Sequence, residues 1–302
     1  MFKFILATIV IAILSGAAFA QQPDTTRDLW DTAFVQKRPP AKTNTKRTQP
    51  VKYRLVSKSI APSTADRTGA SAVVGVTIWR LRPSKQTDDQ SVRQLVHQEG
   101  EWTPERVTAG APLGEGSRVQ LTIESPRKGY LYVFDREIYA DKTFGEAYLI
   151  FPTLSLNEGD NKVDAGRIVE IPSSGDKPPY YTLKRSRADH DGEALTVIVS
   201  EKPLPGLTVG RNAQNISTEQ FANYEKQWGA MTQQLELEKG AGTAMSKAEK
   251  AAALGQGNLT QEDSMPQTIY RVVTRPDQPL LITIPLSIRP KSDKAIQAPG
   301  SE

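Results

Sequence analysis

The sequence predicts a mainly β protein, an Ig-like antiparallel β-sandwich, on three observations. Short apolar runs alternate with period two, turn residues punctuate them closely, and only one long segment repeats with helical period. The chain has 302 residues, 38% of them hydrophobic, which suffices for a core of that kind. The clearest run is 129–152. Tyr130, Tyr132 and Phe134 fall on one face of a strand and Leu131 and Val133 on the other, so neither face suits water and the strand should be central. Asp135, Arg136, Glu137, Asp141, Lys142 and Glu146 then read as a charged loop over 135–146, before the apolar run 147–151 that Pro152 ends.

From the start of the chain, residues 1–20 have the pattern of a secretory signal peptide. Lys3 supplies the positive charge, 4–14 the apolar run, and Ala18 and Ala20 flank Phe19 as the A-x-A cleavage site. The apolar run is shorter than the ~20 residues a bilayer crossing needs, so cleavage after Ala20 is expected rather than an anchor. With no cysteine the chain has neither a lipoprotein acceptor nor a disulfide framework, which suits a periplasmic or secreted bacterial protein.

Residues 21–70, rich in Thr, Pro, Lys, Arg and Gln, read as a disordered basic linker. They hold ten Lys and Arg against four Asp, whereas 71–302 hold 27 against 30 acidic residues, so the pI of 9.1 describes the tether. Lys37, Arg38, Lys42, Lys46 and Arg47 have no acidic residue among them and are the expected contact to an anionic lipid, lipopolysaccharide or wall-polymer surface.

A sandwich domain is expected over 71–290. Val74, Val76 and Ile78 alternate with Val73, Thr77, Trp79 and Leu81 in an internal strand, and a weaker strand is expected near Leu95. Val119, Leu121 and Ile123 alternate with Arg118, Gln120, Thr122 and Glu124, predicting a strand with one wet face. Further short runs at 167–171, 180–183, 194–199, 268–273 and 280–288 are separated by Gly, Pro and Asn clusters. One long amphipathic helix is expected over about 218–239. Ser217 and Gln220 have capping-box spacing, Phe221, Tyr224, Trp228, Met231 and Leu235 recur at 3, 4, 3, 4, and Gly240 offers a stop. A shorter helix starts at the Ser246 and Glu249 pair, and 291–302 should be a disordered tail.

The inventory for chemistry is thin. His97 and His190 are the two histidines, so a metal site would lean on oxygen ligands; Asp135, Glu137 and Asp141 lack the EF-hand pattern. Ser174 and Lys177 match S-x-x-K, but Pro178 and Pro179 argue against the helical turn that motif needs. No nucleophile elbow, phosphate loop or zinc-protease motif is present, so no catalytic residue, metal or cofactor is expected. Binding residues are expected instead on the charged loop: Asp135, Arg136, Glu137, Tyr139 and Asp141. Trp79, Trp102, Tyr148, Tyr180 and Tyr181 are further aromatic candidates, with core packing as their alternative role.

A run of segments resembles domain-of-unknown-function family 4384. They are Val76-Thr-Ile-Trp-Arg-Leu81, Glu101-Trp-Thr-Pro-Glu-Arg-Val107, the run 118–126, Gly129-Tyr-Leu-Tyr-Val133, Asp135-Arg-Glu137, Tyr148-Leu-Ile-Phe-Pro-Thr153, and Ile171-Pro172, over about residues 71–200. The resemblance implies an exported accessory domain with a sensing or adhesion role. The expectation is therefore non-catalytic binding of a protein or polysaccharide at the bacterial envelope. The alternatives are an envelope hydrolase using an acidic pair such as Asp135 and Glu137, or a self-associating structural protein that uses Phe221, Tyr224 and Trp228.

Overall fold

The structure, a computed structural model, describes residues 34–41, 51–59, 70–96, 100–275 and 277–290. The signal-peptide, Lys42, Lys46, Arg47, His97 and C-terminal-tail expectations lie outside the described residues. Among those described, no helix is long and apolar enough to cross a membrane.

The strands in chain order are β1 (Tyr53–Ser59), β2 (Ala70–Pro83), β3 (Gln94–Val96), β4 (Gly100–Val107), β5 (Leu113–Gly114), β6 (Arg118–Glu124), β7 (Gly129–Tyr139) and β8 (Ala147–Phe151). They continue with β9 (Lys162–Val163), β10 (Ile168–Ile171), β11 (Tyr181–Thr182), β12 (His190–Ser200), β13 (Gln214–Ile216), β14 (Thr232–Leu237), β15 (Thr268–Thr274) and β16 (Leu280–Arg289). Among the described residues there are two α-helices, α1 (Thr218–Trp228) and α2 (Lys247–Ala253).

A nine-stranded sheet runs β1-β14-β15-β2-β4-β3, with β6 also on β2 and with β10 and β11 on β6. A seven-stranded sheet runs β13-β8-β7-β12-β16-β5, with β9 on β7. All pairings are antiparallel except β16 with β5. The sheets form a sandwich whose core takes Val74, Val76, Leu121 and Ile123 from the larger sheet and Leu131, Val133, Val197 and Ile284 from the smaller. The expectation that 130–134 is central holds: β7 pairs β12 over ten residue pairs and β8 on its other edge.

The helix expected over 218–239 is corrected. Its start is as read, since the Ser217 hydroxyl accepts from the Gln220 N–H at 3.1 Å, and Phe221 and Tyr224 bury their rings on Phe134 of the smaller sheet. It ends at Trp228, capped by Gly229, and 232–237 is the strand β14 instead, paired on both edges by β1 and β15. The face of β6 expected to be wet is also covered. Gln120, Thr122 and Glu124 are all buried: Gln120 donates to the Pro172 and Pro179 carbonyls, Thr122 accepts from the Trp79 indole N–H, and Glu124 pairs with Arg38.

Two pieces of the expected linker belong to the folded body. β1 closes the edge of the larger sheet, and Phe34 and Arg38 are 1% and 2% exposed. Arg38, expected as a surface contact, is instead paired with Glu124 at 2.6 Å. Lys37 is exposed, as expected.

Candidate functional site

The charged residues 135–139 are not a loop; β7 continues through them to Tyr139. Side chains alternate along a strand, so Asp135, Glu137 and Tyr139 continue the face that Leu131 and Val133 present to the core. Arg136 faces the other way. Its guanidinium donates to Glu225 of α1 at 2.7 Å and lies 4.2 Å and 4.4 Å from the centroids of the Phe221 and Phe144 rings. It fastens the helix to the sheet. Asp141 lies in the turn that follows, where its carboxylate accepts from the Thr143 N–H and hydroxyl at 2.9 and 2.6 Å.

The partner strand supplies the rest. Glu193 stands opposite Glu137 and Leu195 opposite Asp135, with a register shift between His190 and Gly192. The two central strands therefore leave the apolar core with three carboxyls on one inner face. Tyr181, on β11 of the opposing sheet, reaches the same end, and its proximity to Asp135 is one cause of its raised phenol pKa. We call this end of the sandwich the acidic mouth.

Its electrostatics are those of uncompensated burial. Burial, then the charge of Glu137, pushes Asp135 up to about 6. Burial, then Asp135 and Glu137, pushes Glu193 up to about 9, so near neutral pH Glu193 holds a proton and gives it to the Asp135 carboxylate in a hydrogen bond. Burial is also the main cause for the Tyr181 hydroxyl. Beyond the proton that the acid pair shares, no donor reaches the buried Asp135 Oδ1 and Glu193 Oε2, and the buried Tyr181 Oη has no hydrogen-bond partner.

His190 lies beside these carboxyls and is 1% exposed. Its Nδ1 accepts from the Ser186 N–H at 3.0 Å, which assigns the proton to Nε2, donating to the Gly192 carbonyl at 2.8 Å. Glu193 Oε1 lies 3.3 Å from Nε2 and Glu137 Oε1 3.7 Å from Nδ1. Tyr139 donates to Glu137 at 2.8 Å and carries the Arg187 guanidinium 3.4 Å above its ring. At the rim, Arg187 pairs with Asp189 and Lys142 with Asp191.

Among the described residues no three His, Asp or Glu side chains converge as metal ligands. Of the expected binding residues, Asp135, Glu137 and Tyr139 come together, and Arg136 and Asp141 do not join them. Tyr181, one of the aromatic candidates, joins the first three, whereas Glu193 and His190 were not expected among the binding residues. Glu193 had a signal: it is in phase with Leu195, Val197 and Val199, so an acid occupies a core-facing position. Of the aromatic candidates, Trp79 is buried with its indole N–H on Thr122, Trp102 and Tyr180 flank the Arg118 guanidinium, and Tyr148 is exposed. No protein-family model, curated protein or solved structure matches this chain.

Proposed function

We propose that this is an exported, non-catalytic binding domain of the bacterial cell envelope that takes a cationic group of a protein or polysaccharide partner in the acidic mouth. The observation that carries the reading is the set of buried oxygens on Asp135, Glu193 and Tyr181 that no N–H donor of the protein reaches. An unpaired buried acceptor costs about 1–3 kcal/mol, which an incoming N–H donor recovers. An ammonium or guanidinium supplies several such donors and the missing positive charge. The signal-peptide pattern and the resemblance to domain-of-unknown-function family 4384 support the location and the accessory role.

Calorimetric titration with tri-arginine tests the reading. Binding at about pH 7.5 should weaken at least tenfold in an Asp135→Asn/Glu193→Gln variant, and should fall as pH drops through the Asp135 value of about 6, where that carboxylate becomes protonated. Equal affinity for the wild type and the variant would sink it.

A second reading has one observation in its favour: two neighbouring carboxyls are pushed apart to about 6 and about 9. In a hydrolase, Glu193 would protonate a leaving group while the Asp135 carboxylate drew a proton from the attacking water. Turnover of a wall glycan or peptide that disappears in Glu193→Gln would favour this reading over binding.

A further inference from the structure

Residues 34–40 lie on the outer face of the larger sheet as a peptide lies on its receptor. The backbone makes one tight turn, with the Lys37 and Arg38 N–H groups both donating to the Phe34 carbonyl at 3.0 and 2.9 Å. The turn puts two anchors, four residues apart, on one side. Phe34 enters an apolar pocket of Val73, Leu235, Met265 and Ile269. Gly75 leaves the floor open, since a Cβ there would lie 3.3 Å from the Phe34 ring and 2.5 Å from Pro266. Gln36 and Lys37, between the anchors, face solvent.

The Arg38 pocket accounts for the whole guanidinium. Nε and one Nη2 hydrogen donate to the two oxygens of Glu124 at 2.7 and 2.6 Å. The other Nη2 hydrogen goes to the Ser264 carbonyl at 3.2 Å, and Nη1 donates to the Thr260 and Asp263 carbonyls at 3.2 and 3.4 Å. A forked carboxylate with three converging carbonyls matches the five donors of arginine; lysine, with three donors on one nitrogen, cannot span it. Gln261 then clamps the backbone, donating through its N–H to the Pro39 carbonyl at 3.0 Å and through its side chain to the Arg38 carbonyl at 3.2 Å. Every residue named in these two pockets lies between 73 and 269.

We infer that this face is a peptide-recognition groove for a Phe-x-x-x-Arg-Pro turn, filled in cis by residues 34–39 and open to the same segment of a second copy of this chain. The occupant seen in the groove is itself the argument for that partner, since a second copy carries the same anchors. Covalent attachment gives the cis segment a high effective concentration, so a dilute protein closes on itself. Crowded copies exchange segments and become linked.

The test uses the full mature chain with a site-specific protease sequence replacing residues 43–49, cut after folding. The probe is a fluorescein-labelled peptide with the sequence of residues 30–41. The cut fragment should stay bound and be displaced by excess probe. A probe carrying Arg38→Ala, or a Glu124→Gln protein, should bind at least tenfold more weakly. Exchange that ignores Arg38→Ala would overturn the groove. Unfolding when the fragment leaves would also overturn it, because the segment would then be core. For the second copy, sedimentation equilibrium of the uncut protein from about 1 to 300 µM should show a dimer that excess probe dissolves; a monomer throughout would overturn that donor.

Discussion

Replacing Glu193 with Gln should flatten the alkaline loss of stability. In the folded protein this carboxyl is pushed from 4.5 up to about 9, first by burial and then by Asp135 and Glu137. Between those values the folded state holds one more proton than the unfolded chain, so the group's contribution to stability falls as pH rises. The slope is about 1.4 kcal/mol per pH unit, so wild type loses about 3 kcal/mol through Glu193 between about pH 6.5 and 8.5. Asp135, raised from 3.8 to about 6, has the same sign, but its change is nearly complete below that window. Gln keeps the volume and an N–H donor toward Asp135 and removes the titration. Urea unfolding, followed by tryptophan fluorescence at half-unit pH steps, gives both slopes. Groups remote from the mouth, shared by the two proteins, cancel in the difference. Equal slopes for wild type and Glu193→Gln would refute the assignment of the proton.

Two further perturbations test the frame around the mouth. Arg136→Ala removes the charge-assisted hydrogen bond to Glu225 and the stacking on Phe221 and Phe144, and should cost about 2 kcal/mol, read as a lower melting temperature with greater quenching of Trp228; an unchanged melt would show that α1 is held by its apolar face alone. Gly192→Ala places a Cβ 2.1 Å from the Leu286 carbonyl oxygen and should cost about 1–3 kcal/mol, whereas Gly110→Ala, with nothing within 4 Å, should stay within about 0.5 kcal/mol. Equal melting temperatures for the two alanine variants would contradict the close packing of β12 on β16.

The strands that face the core were legible because side-chain phase and burial coincide there. Leu131 and Val133, or Val119, Leu121 and Ile123, announce both the strand and its inward side. The end of α1 was not legible, for a geometric reason. Residues four apart share a face in a helix and also in a strand, so Met231 and Leu235 fit either period, and Gly229 was the stronger signal. Arg38 was misread because composition describes a neighbourhood in sequence, while its partner Glu124 is 86 positions away. Separation in sequence also hid the covered face of β6, whose Gln120 meets the Pro172 and Pro179 carbonyls and whose Glu124 meets Arg38. In the mouth, Asp135 and Glu137 were visible as charges, but reading them as a loop detached them from the phase that places them beside Glu193.

The two faces of burial in this molecule differ in a way that bears on function. On the outer face of the larger sheet, among the described residues, each buried cation meets a buried carboxylate: Arg38 with Glu124, Arg106 with Glu249, and Lys250 with Glu170. Ser174 ties the last pair together, donating to Glu170 and accepting from Lys250. Such pairs contribute little net stability, yet removing one partner costs about 3–5 kcal/mol, so each specifies which group occupies its place in the covering layer. In the mouth the charges that raise Asp135 and Glu193 are those of other carboxylates. Nearby cations are engaged elsewhere, Arg187 on the Tyr139 ring and with Asp189, and Arg185 on the His190 carbonyl. A fold that matches its buried charges on one face and leaves acids unmatched on another carries a standing penalty at the second. Such penalties concentrate where a site is kept for something that arrives. The mouth is therefore a stronger place to seek the partner than the ion pairs, although those pairs bury charge more deeply.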